Sequence, residues 1–181
     1  MNFQTFLRSI EEEFGSAAKL DVCAASSGEL GKLLRYGGLV SSGWYPVALY
    51  CELQALAQQV LQRGSELARR IGYVNLKRDL SGPYRVLVFL LTPEAIISGT
   101  PRIMQHYWRG GRVAVTEARD GMAAAHFRGW HGFDRNVWLD LIGAAEAAIE
   151  VAGGESVRSR VVSGGRDGDD ELDLELRWTR R

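Results

Sequence analysis

Asp120 and Gly121 constrain this chain more than any other pair of residues. They lie between two runs of strand-forming character, Arg112–Arg119 and Met122–Arg128. An Asp-Gly pair in that setting predicts a two-residue type I′ hairpin turn, because both central residues must take positive φ. The turn sets the expected register: Arg119 opposite Met122, Glu117 opposite Ala124, Val115 opposite His126. One face then carries Ala114, Thr116, Ala118, Ala123, Ala125 and Phe127, and five of these six are small. So bare a face lets a helix or a ligand come close to the backbone. Helix-on-sheet packing is the commoner use of such a face.

The hairpin opens a longer unit that ends at Thr179. Asp134 is a good N-cap and Gly153 a good residue just past a helix end. Between them Trp138, Leu141, Ile142, Ala145, Ile149 and Ala152 recur at helical spacing. Gly143, Ala144 and Ala147 form a second strip of small residues, suited to close contact with a helix of this chain or of a second subunit. A second hairpin follows. Leu172, Leu174, Leu176 and Trp178 alternate with Asp173, Glu175 and Arg177, which puts the leucines and the tryptophan on a core face. Val157, Ser159 and Val161 alternate with Arg158 and Arg160. The connection Ser163–Asp170 is rich in glycine and aspartate and is expected to be exposed and mobile.

The first half reads as helical. Phe3, Phe6, Leu7, Ile10 and Phe14 make one apolar face of a helix Phe3–Phe14, capped by Asn2, with Glu11, Glu12 and Glu13 as solvated charge. A short helix is expected over Ser26–Tyr36. Gly37-Gly38 and Ser41-Ser42-Gly43 then break the chain. Pro46 suits the first turn of the next helix, with Leu49, Leu53, Leu56 and Val60 as its stripe. Another helix runs from Gly64-Ser65-Glu66 to about Leu76, before a break at Ser81-Gly82-Pro83. Val86–Leu91 is a continuous apolar run, which periodicity alone leaves open between buried strand and buried helix. Thr92-Pro93 and Thr100-Pro101 each start a helix, the second carrying Ile103, Met104, Tyr107 and Trp108 into Gly110-Gly111.

With 181 residues the chain suits one domain, 1–181, with 1–43 as an N-terminal helical extension and 44–181 as the core. Lys+Arg and Asp+Glu both number 22, which argues against a dedicated nucleic-acid or acidic-membrane binder. No apolar run reaches the length of a membrane span, and the N-terminus lacks a signal-peptide pattern. Cys23 and Cys51 have no motif spacing, so free thiols in a cytoplasmic protein are expected.

Chemistry-bearing motifs are absent: no phosphate loop, dinucleotide fingerprint, nucleophile elbow or zinc spacing. His106, His126 and His131 match no common metal pattern, and no metal site is expected. Arginines and aromatics do interleave from Arg102 to Arg135, a combination that holds nucleotides, anions or acidic surfaces when it is not solvated charge. If the helix before Gly110 folds over the alanine face, Met104, Tyr107, Trp108, Phe127 and Trp130 surround Ala125. Arg109 or Arg128 then stands at the mouth. That constellation would take an aromatic or lipid-like molecule with an anionic end.

The succession "PRIMQHYWRGGRVAV", the Asp-Gly hairpin, "FRGWHGF", "IGAAEAAIEVAGG" and "ELDLELRW" resembles a family of myxobacterial paralogues of about this length. That family is similar to 4-vinyl-reductase-type small-molecule-binding domains and, more distantly, to haem-NO-binding domains. The resemblance implies a mixed α/β ligand-binding or sensory fold, and it tips Val86–Leu91 towards helix. The Tyr-x-Ser-x-Arg signature that holds haem propionates in those domains is absent, so no cofactor is expected, and His106 is only a weak echo of an axial ligand. The expected fold is α+β, with a helical N-terminal half packed on an antiparallel sheet of two hairpins. The expected function is a non-catalytic sensory or adaptor domain with a small-molecule ligand and a homodimeric or other protein partner. A protein–protein module without a ligand, or an enzyme of unknown class, remain the alternatives.

Overall fold

Helices fill the first half and a sheet the second in the computed structural model, which describes residues 3–40, 43–81 and 91–180. The helices are α1 (Phe3–Phe14), α2 (Ser16–Ala25), α3 (Gly28–Arg35), α4 (Val47–Val60), α5 (Glu66–Ser81) and α6 (Pro93–Tyr107). Two hairpins, β1 (Arg112–Arg119) with β2 (Met122–Arg128) and β3 (Gly154–Gly164) with β4 (Leu172–Arg180), flank α7 (Arg135–Val151). They join through β2 and β4 into one antiparallel sheet of order β1-β2-β4-β3. This is the α+β arrangement expected. The Asn2 cap, Ser41-Ser42, Gly82-Pro83 and all of Val86–Leu91 except Leu91 lie outside the described residues.

Each amphipathic stripe turns inward. Phe3, Phe6, Leu7 and Ile10 of α1 join one core with Leu49 and Leu53 of α4, Trp138 and Ile149 of α7, and Leu172, Leu174 and Leu176 of β4. The three glutamates of α1 are not merely solvated. Glu11 pairs with Lys19 at 2.6 Å, Glu12 with Arg8 and Arg78, and Glu13 with Arg70 at 2.9 Å. They clamp α1 to α2 and α5. α2 has no counterpart in the sequence reading, because its apolar residues circle the helix and only Val22 is buried. Two further helices differ from expectation. α5 continues to Ser81, and α6 runs unbroken through Pro101, where two helices were expected.

The small-residue strip of α7 is used within the chain. A Cβ on Gly72 of α5 would collide with the backbone carbonyl of Asp140, and one on Gly143 with the carbonyl of Arg69. Glycine at both positions lets the two backbones touch. Arg69 reinforces the contact with two hydrogen bonds to Glu146, at 2.5 and 3.1 Å, and a third to Ser159 of β3 at 3.1 Å.

Asp134 caps α7 through a bond from the Val137 amide at 2.9 Å, and Gly153 follows its end at φ 93°. The Asp120-Gly121 turn has φ of 52° and 75°, as its type requires. Its expected register holds for Arg119–Met122 and Glu117–Ala124 but not beyond. A bulge at Thr116 puts Val115 opposite Ala125 and Ala114 opposite His126. An extra residue in one strand reverses every side chain past it. The inner face therefore carries Val113 and Val115, while Ala114 and Thr116 point outward. The face is less bare than the sequence implied.

On the outer face a polar chain crosses all four strands. Thr116 Oγ1 lies 3.1 Å from His126 Nε2, His126 Nδ1 lies 2.7 Å from Asp173, and Ser163 Oγ donates to Asp173 at 2.7 Å. Arg128 adds an ion pair to Asp173 at 2.6 Å. These donors hold the Asp173 carboxyl down at about 2, with His126 the largest cause. Across β3 and β4, Arg160 grips Glu175 at 2.8 Å, the opposite-charge pairing that the alternation predicts. The loop expected to be mobile is tied down. Asp170 O accepts from the Trp130 amide at 2.9 Å, and Asp167 Oδ1 from the Arg135 amide at 2.8 Å.

Candidate ligand cleft

Three stretches converge at one end of the molecule. α6 ends at Tyr107, with the Trp108 amide bonded to Met104 O at 2.9 Å. Trp108 is extended, and Gly110 and Gly111 (φ 99° and 66°) turn the chain into β1. Gly111 has to be glycine, since a Cβ there would enter the indole of Trp130. Trp130 belongs to the second stretch, which leaves β2 through Gly129 and Gly132. Its Nε1 donates to Arg112 O at 3.1 Å, which binds the second stretch to the first. The third stretch, Trp44 to Tyr50, leads into α4. The Tyr45 hydroxyl fixes it by donating to Gly38 O at 2.9 Å and accepting from the Val40 amide at 2.7 Å.

These stretches and Phe3 enclose a half-open cleft of about 350 Å³. Eight of its fourteen lining residues are Phe, Tyr or Trp, and none is Asp or Glu, so apolar contact dominates recognition there. The rings brace one another. Trp108 and Phe133 are 4.7 Å apart between centroids, Trp130 and Phe133 5.4 Å, and Phe3 and Tyr50 5.4 Å. Each such pair contributes about 0.5–1.5 kcal/mol beyond its buried area, so the walls are preformed. At the rim the Arg109 guanidinium sits 4.3 Å from the centre of the Trp44 ring. His131, also on the rim, is held by Asp170 at 3.2 Å.

Behind the cleft is a buried polar group of three. Tyr50 lines the cleft with its ring and directs its hydroxyl to Asp140 at 3.5 Å. Burial pushes the Asp140 carboxyl up to about 8. Gln54, one turn beyond Tyr50, is 1% exposed, its amide lies close enough to act on the Tyr50 hydroxyl, and among the described residues neither end of that amide has a well-formed hydrogen bond. Asp140 and Gln54 do not line the cleft. Cys51 does not line it either. Its thiol is pushed up to about 12, by burial first and then by the charge of Asp134, so it stays protonated and unreactive at neutral pH.

Of the residues singled out in the sequence, Tyr107, Trp108, Arg109 and Trp130 line the cleft. Met104, Ala125 and Phe127 are packed in the core, so the alanine face is covered rather than hollow. Arg128 is on the outer face of the sheet, paired with Asp173 and Glu171. Sequence reasoning missed Phe3, Trp44, Tyr45 and Tyr50. The one available signal was Trp44-Tyr45-Pro46, an aromatic pair at a helix start. Among the described residues, no three His, Cys, Asp or Glu side chains gather where a metal could sit, and no helix is long and apolar enough to cross a membrane.

The order of elements and the sheet topology define the H-NOX fold. The H-NOX protein of K. algicida, solved in the unliganded Fe(II) state, superposes with a TM-score of 0.74 at 12% identity, over 99% of this chain and 95% of that one. The S. oneidensis H-NOX protein in the Fe(II)NO state gives 0.76 at 10% identity, over 99% and 100%. An oxygen-binding H-NOX domain related to soluble guanylate cyclases gives 0.73 at 11% identity, over 98% and 93%. No protein-family model and no curated protein matches the sequence.

Two of those neighbours are described in Fe(II) states, and another structure of the same fold, similar with a TM-score of 0.67, by its haem redox potential. Haem iron needs an axial side chain on the wall of a slot. Among the described residues, no side chain is placed where haem iron would need it. His106 is exposed and outside the cleft, His126 is on the outer face of the sheet, and His131, the one histidine of the lining, has its side chain 81% exposed to solvent. The Tyr50 hydroxyl is directed to Asp140. Between α7 and the sheet, Phe127, Phe133 and Trp138 pack ring against ring, at 4.7 Å for Phe133 and Trp138.

Proposed function

We propose that this protein is a non-catalytic sensory or adaptor domain whose aromatic cleft binds a small, mostly apolar molecule. The observation that carries the proposal is the cleft itself. Its volume of about 350 Å³ is that of a small-ligand site, and its walls are aromatic with the Arg109 guanidinium, which no carboxylate among the described residues pairs, stacked on Trp44 at the mouth. Tyr107, Trp108, Arg109 and Trp130 are the binding residues retained from the sequence, joined by Trp44, Tyr50 and Phe133. The proposal places the chain with the myxobacterial family and the 4-vinyl-reductase-type domains it resembles, as one folded unit in the cytoplasm. Two free cysteines accord with that compartment.

Native mass spectrometry of the purified protein, with and without denaturant, tests this. A retained small organic mass that denaturant releases is the expected result. A protein that carries none, and whose melting temperature no small aromatic compound raises, would overturn the reading. The same spectrum counts subunits. The homodimer expected from the sequence must use a surface other than the Gly143 strip, since α5 covers that strip.

A further inference from the structure

We infer that the cleft selects an aromatic monocarboxylate, held with its ring against the wall of Trp108, Trp130 and Phe133 and its carboxylate on Arg109. The inference rests on the reading of the cleft as a ligand site and names the chemical class it takes. Charge is the first argument. The lining contains one arginine, one histidine and no carboxylate. His131 already faces Asp170, and Arg128, the other cation expected at the mouth, is committed to Asp173 and Glu171. Arg109 remains. Among the described residues no carboxylate pairs with it, and its one partner is the face of Trp44.

That partner matters chemically. An indole face steadies a guanidinium without using its N–H groups, so the fork of donors stays free for a planar bidentate acceptor. The amides of Arg109 and Gly110 also make no backbone hydrogen bond among the described residues. They are unused donors on the same segment that carries the guanidinium. An aromatic cage by itself would suit an organic cation. Here a cation would meet Arg109 in a lining that holds no carboxylate, so the lining favours the opposite sign. Size supplies the second argument. At about 350 Å³ the cleft is at the small end of ligand sites and suits a compact ring system rather than a long acyl chain. One guanidinium matches one negative charge.

Calorimetric titration of the intact chain with matched pairs decides the matter: 1-naphthylacetate against 1-naphthylacetamide, and indole-3-acetate against indole-3-acetamide. 1-Naphthylmethylammonium serves as the cation. The acids are expected to bind about tenfold or more tightly than their amides, the increment of a charge-assisted hydrogen bond. Arg109→Gln should bring the acid-to-amide affinity ratio down to about one, and Arg109→Lys should restore part of it. Equal binding of acid and amide, tighter binding of the ammonium, or an Arg109→Gln variant that keeps its preference for acids would each overturn the anion assignment and leave the cleft standing. If none of the five compounds binds, both the assignment and the cleft reading fall.

Discussion

Gly72 and Asp140 are in contact, and each carries a measurable consequence. Gly72 lets α5 rest on the backbone of α7, so Gly72→Ala forces a methyl into the carbonyl of Asp140. Overpacking of that kind costs about 1–3 kcal/mol, and the urea midpoint should fall accordingly. An unchanged midpoint would show that the two helices can part without cost. Asp140 sets a pH dependence. Its carboxyl is raised by burial from 3.8 to about 8, so the folded state holds a proton that the unfolded chain releases. The stability this contributes is complete below about pH 4 and is lost as pH rises through about 8. Asp140→Asn should match the wild type only below about pH 4, where the carboxyl is protonated folded and unfolded alike. At pH 9.5 it should be more stable, on the order of 1–3 kcal/mol, because no charge is forced into the interior. Thermal melts across that range would show parallel curves for the two proteins if Asp140 were ordinary.

At the scale of elements, the first hairpin shows what sequence can and cannot specify. Gly121 sits at φ 75°, and its carbonyl accepts from the Trp178 amide at 2.8 Å. Gly121→Val adds a β-branched side chain in a region that resists it, at a cost of about 1–3 kcal/mol. Its melting temperature should drop by several degrees, and a variant that melts with the wild type would remove the turn from the argument. The turn was legible because two adjacent residue types determine it. The bulge at Thr116 was not, because it is set by how β1 settles on the helices, a long-range balance with no local marker. α1, α4 and α7 were legible from their stripes. α2 was not, since a helix that buries one residue has no stripe to read. Pro101 misled in the other direction, because the loss of one backbone donor did not end α6.

At the scale of the molecule, the helical layer and the sheet were foreseeable from the alternation of elements, and the place of the cleft was not. The sequence put the cavity over Ala123 and Ala125, where both are instead covered. The cleft opens at the end of the sheet because Trp108, Phe133 and Trp130 crowd against each other there. The third wall comes from Trp44–Tyr50, more than fifty residues earlier in the chain. No local pattern records such a meeting. The chain shares the H-NOX fold, rings pack between α7 and the sheet, and the one histidine of the cleft lining, His131, is exposed to solvent. Haemin titrated into the purified protein is therefore expected to give no stoichiometric Soret band, and such a band would refute the packing argument.

Both outer strands of the sheet are irregular, β1 at Thr116 and β3 in two places. An edge strand offers its free amides and carbonyls to any passing chain, and a flat, regular edge invites stacking into fibres. The second break in β3 falls between Val161 and Ser163, and Val161 and Val162 are 46% and 52% exposed. The most adhesive part of that margin is thereby thrown out of step with any strand that might lie against it. Copies of this protein brought together at high concentration are therefore expected to resist edge-to-edge stacking.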